Sequence, residues 1–183
     1  KRPLITWIMD DWPAALATEN PSEFLRLDAD LRSLFEISEA RLSICEAMSA
    51  AYEERYGFAF EPFANGVNPE EWSKPTVREA LPIRVRYAGA LAPNMSYASV
   101  RDVAEAVDGL SREGLNISFE IKTISMWRDT AAGLTEGLNS ASYIAESFAR
   151  SEYRQWISDA DIVVLAYNFD PGSIAYIRYS MAN

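Results

Sequence analysis

The sequence predicts an α/β fold with parallel sheets, and two observations support this prediction. Short, nearly continuous apolar runs at residues 4–9 and 162–165 are typical of strands covered on both faces of a parallel sheet. Segments with apolar residues at three- and four-residue spacing lie between such runs and are typical of amphipathic helices. This alternation indicates βα units, whose strands run parallel to one another.

In the first part of the chain, the run at 4–9 predicts a strand that ends in a polar loop at 10–13. Asn20 offers an N-cap and Pro21 suits the first helical position, so we expect a helix from there to about Ile37. Further along we expect a short strand at 41–45, a helix at 46–56 that stops at Gly57, and a short strand at 58–63.

In the second part, alternating apolar residues at 83–87 predict a strand that ends at Gly89. A loop at 90–96 should lead into a helix, whose start we place at a capping box over 99–102. The remaining expected elements are a strand at 117–121, a helix from about Ser151 and a buried strand at 162–165. The segment 123–139 has no clear pattern.

Composition excludes several classes of function. The 183 residues include 17 basic and 27 acidic side chains, a net charge of −10, which repels phosphate backbones and excludes nucleic acid as an expected partner. The chain has no histidine, so every histidine-based triad, metal site or general base is excluded. The single cysteine, Cys45, is expected to pack in the core and favours the cytoplasm. No apolar run approaches the ~20 residues of a transmembrane helix.

Carboxylates, hydroxyls and amides must therefore carry any chemistry, and ligands of parallel sheets bind beyond the carboxyl ends of strands. Asp10 and Asp11 follow a strand, where one carboxylate can orient a hydroxyl or act as a general base. The alternative is that one acid caps the next turn. Gly89 follows a strand and precedes a helix, which lets a ligand approach the backbone. The alternative there is ordinary turn geometry, since no Gly-x-Gly-x-x-Gly motif follows.

Two other features suggest binding but favour structural roles. Asp-x-Asp triplets at 28–30 and 159–161 match a pattern that can hold a divalent metal. The first falls inside an expected helix and the second ends one, so we interpret both as solvated or capping residues and predict no metal site. Trp7 and Trp156 fall on apolar faces and are expected in the core, whereas Trp12, beside the acids, stays open to stacking on a sugar.

Five motifs in order along the chain resemble one known family. Segments 40–48, 56–57 and 65–68 resemble the end of its acceptor-side domain, where a strand, a helix ending in Tyr-Gly and an Asn-Gly-Val-Asp turn lead onward. Segment 86–91 is similar to the first strand and glycine loop of its donor domain, and segment 158–165 to a later strand preceded by Ala-Asp. The family is that of GT-B fold nucleotide-sugar glycosyltransferases, of the group 1, family 4-like kind.

This resemblance implies Rossmann-like parallel sheets in two domains. Residues 1–68 would be the C-terminal part of the acceptor-side domain, 69–82 an interdomain linker, and 83–183 the N-terminal part of the donor-binding domain. The chain would then be a central segment of a longer enzyme. We expect the segment alone to be inactive.

The resemblance also implies site residues. Asp10 and Asp11 occupy the positions of a His-Asp pair that contacts the donor sugar, and are therefore the candidate catalytic residues. Gly89 matches the glycine whose backbone faces the donor diphosphate, and the implied interdomain turn is Asn65 and Gly66. The candidate donor-binding residues are Gly89, Ala90, Asn168, Arg178 and Ser180. Arg178 lies between aromatic residues and can meet an anion, and the alternative is a terminal helix with aromatic residues on its surface. The basic residues that many members place after the glycine have no counterpart at 90–96. The charge of a diphosphate must then be met by a helix N-terminus or by residues outside this chain.

The function implied is transfer of a sugar from a UDP- or GDP-sugar to an acceptor hydroxyl on a sugar, a lipid-linked molecule or a protein. The reaction would be retaining and would need neither metal nor other cofactor. The parent enzyme would be cytoplasmic, and a peripheral association with the membrane stays open, since the chain has no basic amphipathic segment. The alternatives are a noncatalytic nucleotide- or sugar-binding α/β domain and a sugar-nucleotide epimerase.

Overall fold

A computed structural model describes residues 2–72, 81–147, 149–177 and 179, which fall into two compact units. The first unit consists of Lys1–Val67 together with Asp170–Asn183, and the second of Asn68–Phe169. The chain therefore passes from the first unit to the second and later returns.

The first unit holds a three-stranded parallel sheet in the order β1-β2-β3. Its elements are β1 (Ile5–Ile8), α1 (Trp12–Glu19), α2 (Pro21–Ile37), β2 (Ala40–Ser43), α3 (Glu46–Tyr56), β3 (Glu61–Pro62) and α7 (Pro171–Ile177). Aromatic rings pack edge to face in its core, where the ring centroid of Phe35 lies 4.9 Å from that of Tyr56 and 5.1 Å from that of Phe60. Cys45 packs in the same cluster, as expected.

Two helix boundaries of the first unit follow from local sequence chemistry and are confirmed. The side chain of Asn20 accepts a hydrogen bond from the backbone N–H of Glu23 and caps α2. Gly57 follows α3 in the left-handed conformation, with φ at 78°, which a glycine adopts without strain.

Two expectations for the first unit were wrong. The segment after β1 is not a polar loop, because helix α1 begins at Trp12. Pro13 suits the first turn of that helix, and alanines follow it. Trp7 is not in the core, since 40% of it is exposed, and its ring packs against Phe63.

The second unit holds a four-stranded parallel sheet in the order β6-β5-β4-β7. Its elements are β4 (Ile83–Ala88), α4 (Tyr97–Arg112), β5 (Ile117–Thr123), α5 (Arg128–Thr135), β6 (Ala141–Ala145), α6 (Arg150–Ser158) and β7 (Ile162–Val164), with 3₁₀ turns at Pro69–Glu71 and Ser125–Trp127. The chain adds strands on one side of β4 and then on the other, so β4 and β7 flank the topological switch point.

One face of this sheet forms the apolar core of the second unit. Phe119 and Ile121 of β5 pack with Val85 and Tyr87 of β4 in this core. Helices α4 and α5 supply further buried residues, including Val100, Ala104, Ala131 and Leu134. The alternate residues Arg84, Arg86, Glu120 and Lys122 point to the opposite face, because side chains of a strand alternate between faces.

Three expectations for the second unit were wrong or incomplete. Helix α4 begins at Tyr97 rather than at a capping box, because the hydroxyl of Ser99 donates to the backbone oxygen of Tyr167. Strand β7 lies at the edge of the sheet, so Ile162 and Val163 are 50% and 58% exposed rather than buried. Helix α5 and strand β6 had no counterpart in the sequence interpretation.

The observed units differ from the expected domain ranges at one end. Residues from Asp170 onward group with the first unit, because α7 contacts α1 and Tyr179 packs in the aromatic core. Part of the expected linker at 69–82 is the turn Pro69–Glu71, and residues 73–80 lie outside the described residues. The α/β fold with parallel sheets is confirmed. In the described residues, no helix is both long and apolar enough to span a membrane.

Candidate functional site

A cleft of about 610 Å³ lies at the carboxyl ends of β4, β5 and β6 in the second unit. Parallel strands end at a common edge of their sheet, so the residues that follow them come together there. The cleft is lined by Ala88, Gly89, Ala90, Lys122, Thr123, Ile124, Trp127, Glu146, Ser147, Arg150 and Tyr153. Of the residues expected from the sequence, Gly89 and Ala90 are among them.

The loop after β4 is fixed by hydrogen bonds to its backbone. The hydroxyls of Tyr87 and Ser96 both donate to the backbone oxygen of Ala90, each at 2.6 Å. The backbone N–H of Gly89 donates to the oxygen of Lys122 at 3.1 Å. A Cβ at Gly89 would lie 2.7 Å from the Tyr87 hydroxyl oxygen, so the close approach of Tyr87 requires glycine. Burial raises the pKa of Tyr87, and its hydroxyl therefore keeps the proton that it donates.

A smaller cleft of about 150 Å³ lies on the other side of this loop, at the switch point between β4 and β7. It shares residues 88–90 with the large cleft and is also lined by Met95, Ser96 and residues 165–167. The loop at Gly89 therefore borders both cavities.

Asn168 was expected to bind the donor, and the structure places it beneath the loop that precedes α4. It is 3% exposed, its Nδ2 donates to the backbone oxygen of Pro93 at 2.7 Å, and its Oδ1 accepts from the N–H of Ser99 at 3.3 Å. These bonds tie the segment after β7 to the start of α4. A donor-binding role for Asn168 stays a prediction.

The face of the sheet beneath α6 is unusually charged. The Arg86 guanidinium pairs with Glu120 at 2.5 Å and lies 4.7 Å from the centroid of the Trp156 ring. The Lys122 ammonium lies 4.9 Å from the same ring. Burial lowers the pKa of Lys122, and the negative charge of Glu152, which raises that pKa, only partly offsets the effect. Trp156 thus packs against two cations rather than in the apolar core where it was expected.

Sequence reasoning missed nine of the eleven lining residues, including the charged and aromatic side chains of Lys122, Trp127, Glu146, Arg150 and Tyr153. Trp127 directly precedes helix α5 and Glu146 directly follows strand β6, two elements that the sequence interpretation did not include. One signal was present, because Lys122 is a charged residue at the carboxyl end of an otherwise alternating strand.

Asp10 and Asp11, the candidate catalytic pair of the first unit, differ in their surroundings. Asp10 is exposed, whereas Asp11 is 2% exposed. Arg55 donates to both Asp11 carboxylate oxygens, at 2.8 and 3.1 Å, and the Tyr52 hydroxyl donates at 3.0 Å. Burial alone would lower the pKa of Arg55, but these bonds raise it above its usual value. Asp11 therefore anchors the start of α1, and Asp10 is the carboxylate of the pair that is exposed to solvent. A catalytic role for either stays a prediction.

The remaining expected residues lie elsewhere. Asn65 and Gly66 are exposed and directly precede the boundary between the two units. Arg178 and Ser180 lie outside the described residues. In the described part of the chain, no three His, Cys, Asp or Glu residues are grouped as metal ligands would be. The Asp161 carboxylate of the second triplet instead accepts from the backbone N–H of Arg84 at 2.8 Å.

Comparison with known proteins identifies the fold through structure alone. No protein-family model matches the chain, and no curated protein matches it in sequence. Among solved structures, TarM superposes with a TM-score of 0.57 and 13% identity over 74% of this chain and 26% of its own. The lipopolysaccharide outer core galactosyltransferase WaaB, in its apo form, superposes with a TM-score of 0.54 and 16% identity over 77% of this chain and 41% of its own. Both are GT-B glycosyltransferases, and the chain spans less than half the length of either. The chain has a GT-B glycosyltransferase-like fold, as the sequence resemblance implies.

Proposed function

We propose that the protein is a glycosyltransferase that moves a sugar from a nucleotide-diphosphate donor to an acceptor hydroxyl. The cleft of about 610 Å³ at the carboxyl ends of β4, β5 and β6 carries this proposal. Its position is where open parallel sheets bind ligands, and the fold is that of glycosyltransferases. UDP- and GDP-sugars are the proposed donors.

The reaction exchanges one bond at the anomeric carbon of the sugar for another. The bond from that carbon to the diphosphate oxygen breaks, and a bond to the acceptor oxygen forms. The nucleoside diphosphate leaves with the electron pair of the broken bond, and the acceptor hydroxyl proton passes to its phosphate oxygen or to water. Catalysis then requires an oriented acceptor and stabilisation of the charge on the leaving group. The proposed reaction is retaining and independent of metal.

The residues of the cleft suit a nucleotide. Trp127 and Tyr153 offer aromatic surface on which a base can stack, and the Gly89 loop lets a ligand approach its backbone. In the first unit, we assign to Asp10 the orientation of a hydroxyl of the sugar or acceptor. Asp11 is a positioning residue that holds the adjoining turn through Arg55.

The acceptor is proposed to be a sugar, a lipid-linked molecule or a protein. The proposed location of the enzyme is the cytoplasm, at the periphery of a membrane. The acceptor classes rest on the resemblance of the sequence motifs to the family, and the cytoplasmic location rests on the single cysteine, Cys45.

Isothermal titration of the chain with UDP and GDP tests the donor site. Ala90 is exposed at the cleft, and its side chain makes none of the loop hydrogen bonds, so Ala90→Leu should block the cleft without unfolding the protein. The matched control is Ala106→Leu, at an exposed position of α4 away from the cleft. We expect one nucleotide to bind, with at least about tenfold weaker binding in Ala90→Leu only. Equal binding by all three proteins would place the nucleotide elsewhere.

Turnover by the full-length gene product separates the classes of function. A glycosyltransferase releases nucleoside diphosphate from the donor sugar only when an acceptor is added. An epimerase converts the donor sugar without an acceptor. Tight donor binding with no release under any acceptor would instead support the noncatalytic binding domain, which the absence of basic residues at 90–96 favours.

A further inference from the structure

A bound diphosphate needs positive charge, and the loop after β4 does not provide it. Residues 90–96 contain no Lys or Arg. The net charge of the chain, −10, adds a general repulsion for an anionic ligand. A donor site in this unit therefore depends on cations from other elements.

The two basic residues that line the large cleft come from other elements of the same unit. Lys122 lies one residue before the end of β5, and Arg150 is the first residue of α6. Tyr153, one turn further along α6, also lines the cleft, so the start of this helix faces the cavity.

Lys122 is held in a defined position. The residue is 6% exposed, its ammonium packs on the Trp156 ring, and Glu120 and Glu152 are the acidic groups near it. Glu120 also pairs with Arg86, which in addition donates to the backbone oxygen of Trp156. Fixing an ammonium in this way lowers the entropy lost when an anion binds.

Two further features of the cleft favour an anion. Helix α6 begins after Ala149, whose side chain cannot cap it; the Glu152 carboxylate accepts from the Ala149 N–H at 3.2 Å, which leaves the N–H groups of Arg150 and Ser151 to face a ligand. Thr123 lines the cleft, is 5% exposed, and its hydroxyl has no hydrogen-bond partner among the described residues. A buried hydroxyl without a partner is costly, and a ligand oxygen can supply one.

Glu146 is the acidic residue of the cleft lining and opposes an anion. It is exposed, and its backbone N–H donates to the oxygen of Thr123 at 3.0 Å. Because Lys122 and Arg150 together outweigh this one carboxylate, the lining keeps an excess of positive charge.

We infer that Lys122 and Arg150 bind the diphosphate of the donor, in place of basic residues in the glycine loop. The inference rests on the proposed function and names the residues that neutralise the leaving group. Arg150 acts with the N-terminus of α6, and the hydroxyl of Thr123 donates to a phosphate oxygen.

The test compares ligands with and without the diphosphate on charge-removing variants. Lys122→Met keeps the apolar stem, and Arg150→Gln changes an exposed residue, so the second variant should fold even if the first does not. Arg112→Gln is the control, because that side chain is 69% exposed and pairs with Asp108 away from the cleft. Binding of UDP, GDP, uridine, guanosine and inorganic pyrophosphate is measured by titration calorimetry.

We expect each cleft variant to bind nucleoside diphosphate and pyrophosphate about tenfold more weakly than the unsubstituted chain does. The affinity for uridine and guanosine should not change. Unchanged nucleoside diphosphate affinity in Arg150→Gln and in folded Lys122→Met would overturn the inference and leave the proposed function standing. Suppose instead that no nucleotide binds to the unsubstituted chain. If pyrophosphate then binds to the unsubstituted chain and the variants lose that binding, the anion site stands and the proposed nucleotide donor is wrong. If pyrophosphate does not bind either, the inference is overturned together with the proposed donor.

Discussion

Adjacent residues of the same type have opposite roles at the start of α1. The Asp11 carboxylate is buried and bonded to Arg55 and Tyr52, whereas Asp10 is exposed one residue earlier. A buried carboxylate needs such partners, because its lost hydration is otherwise not replaced. The sequence shows two equal acids, and only the position of Arg55, 44 residues later, distinguishes them.

We expect Asp11→Ala to destabilise the first unit by about 2–3 kcal/mol. The substitution leaves the partly buried Arg55 guanidinium and the Tyr52 hydroxyl without their acceptor. Urea unfolding followed by circular dichroism measures the loss. Asp10→Ala is the control and should change stability by no more than about 0.5 kcal/mol. An equal effect of both substitutions would contradict the assignment of Asp11 as the anchor.

At the residue scale, the sequence predicted part of the cleft. Gly89 and Ala90 were identifiable because they follow a recognisable strand. Lys122, Glu146 and Arg150 were not, because their common location depends on the register of three parallel strands. Such proximity is a property of the assembled sheet and leaves little trace in local sequence.

At the element scale, helix ends were more predictable than the presence of elements. The Asn20 cap and the Gly57 stop depend on neighbouring residues alone. Strand β6 escaped prediction because its side chains are only partly covered, and it lacks a continuous apolar run. Helix α1 escaped because Asp-Asp-Trp-Pro resembles a turn, although proline is also well placed in a first helical turn.

Two glycines, one directly after α3 and one inside α4, should respond in opposite ways to alanine. Gly57 has a φ of 78°, so we expect Gly57→Ala to cost about 1 kcal/mol. Gly109 lies inside α4 with open space for a Cβ, so Gly109→Ala should stabilise the second unit by about 0.5–1 kcal/mol. Thermal unfolding measures both. A gain in stability from Gly57→Ala would show that α3 ends differently.

At the scale of the whole molecule, each unit has a carboxylate that contributes stability only when ionised. In the second unit, hydrogen bonds from the backbone N–H groups of Ser140 and Asn139 lower the pKa of Asp108 from 3.8, although burial opposes them. In the first unit, the Ser173 hydroxyl and N–H lower the pKa of Asp170. Because each folded-state pKa lies below the unfolded value, this stabilisation is complete above that value and is lost as the pH falls through the folded-state pKa.

We therefore expect both units to lose stability below about pH 4, with a shallower loss in the second unit for Asp108→Asn. An amide does not titrate, yet its oxygen can still accept from Ser140 and Asn139. Urea midpoints measured between about pH 7 and pH 3 test this expectation. Asp102→Asn, at an exposed site on the same helix, is the control and should keep the original slope. A slope unchanged by Asp108→Asn would assign the acid sensitivity to other groups.

Because the chain returns to its first unit after the second, that unit can be completed only after the second has been synthesised. Helix α1 leaves the ribosome early, but its neighbour α7 lies beyond the whole of Asn68–Phe169. A nascent chain can therefore build the three-stranded sheet before the second unit is translated, yet it completes neither the contact between α1 and α7 nor the aromatic core, to which Tyr179 belongs, until after that unit. Of the two units, the one whose synthesis begins first is thus completed after the other.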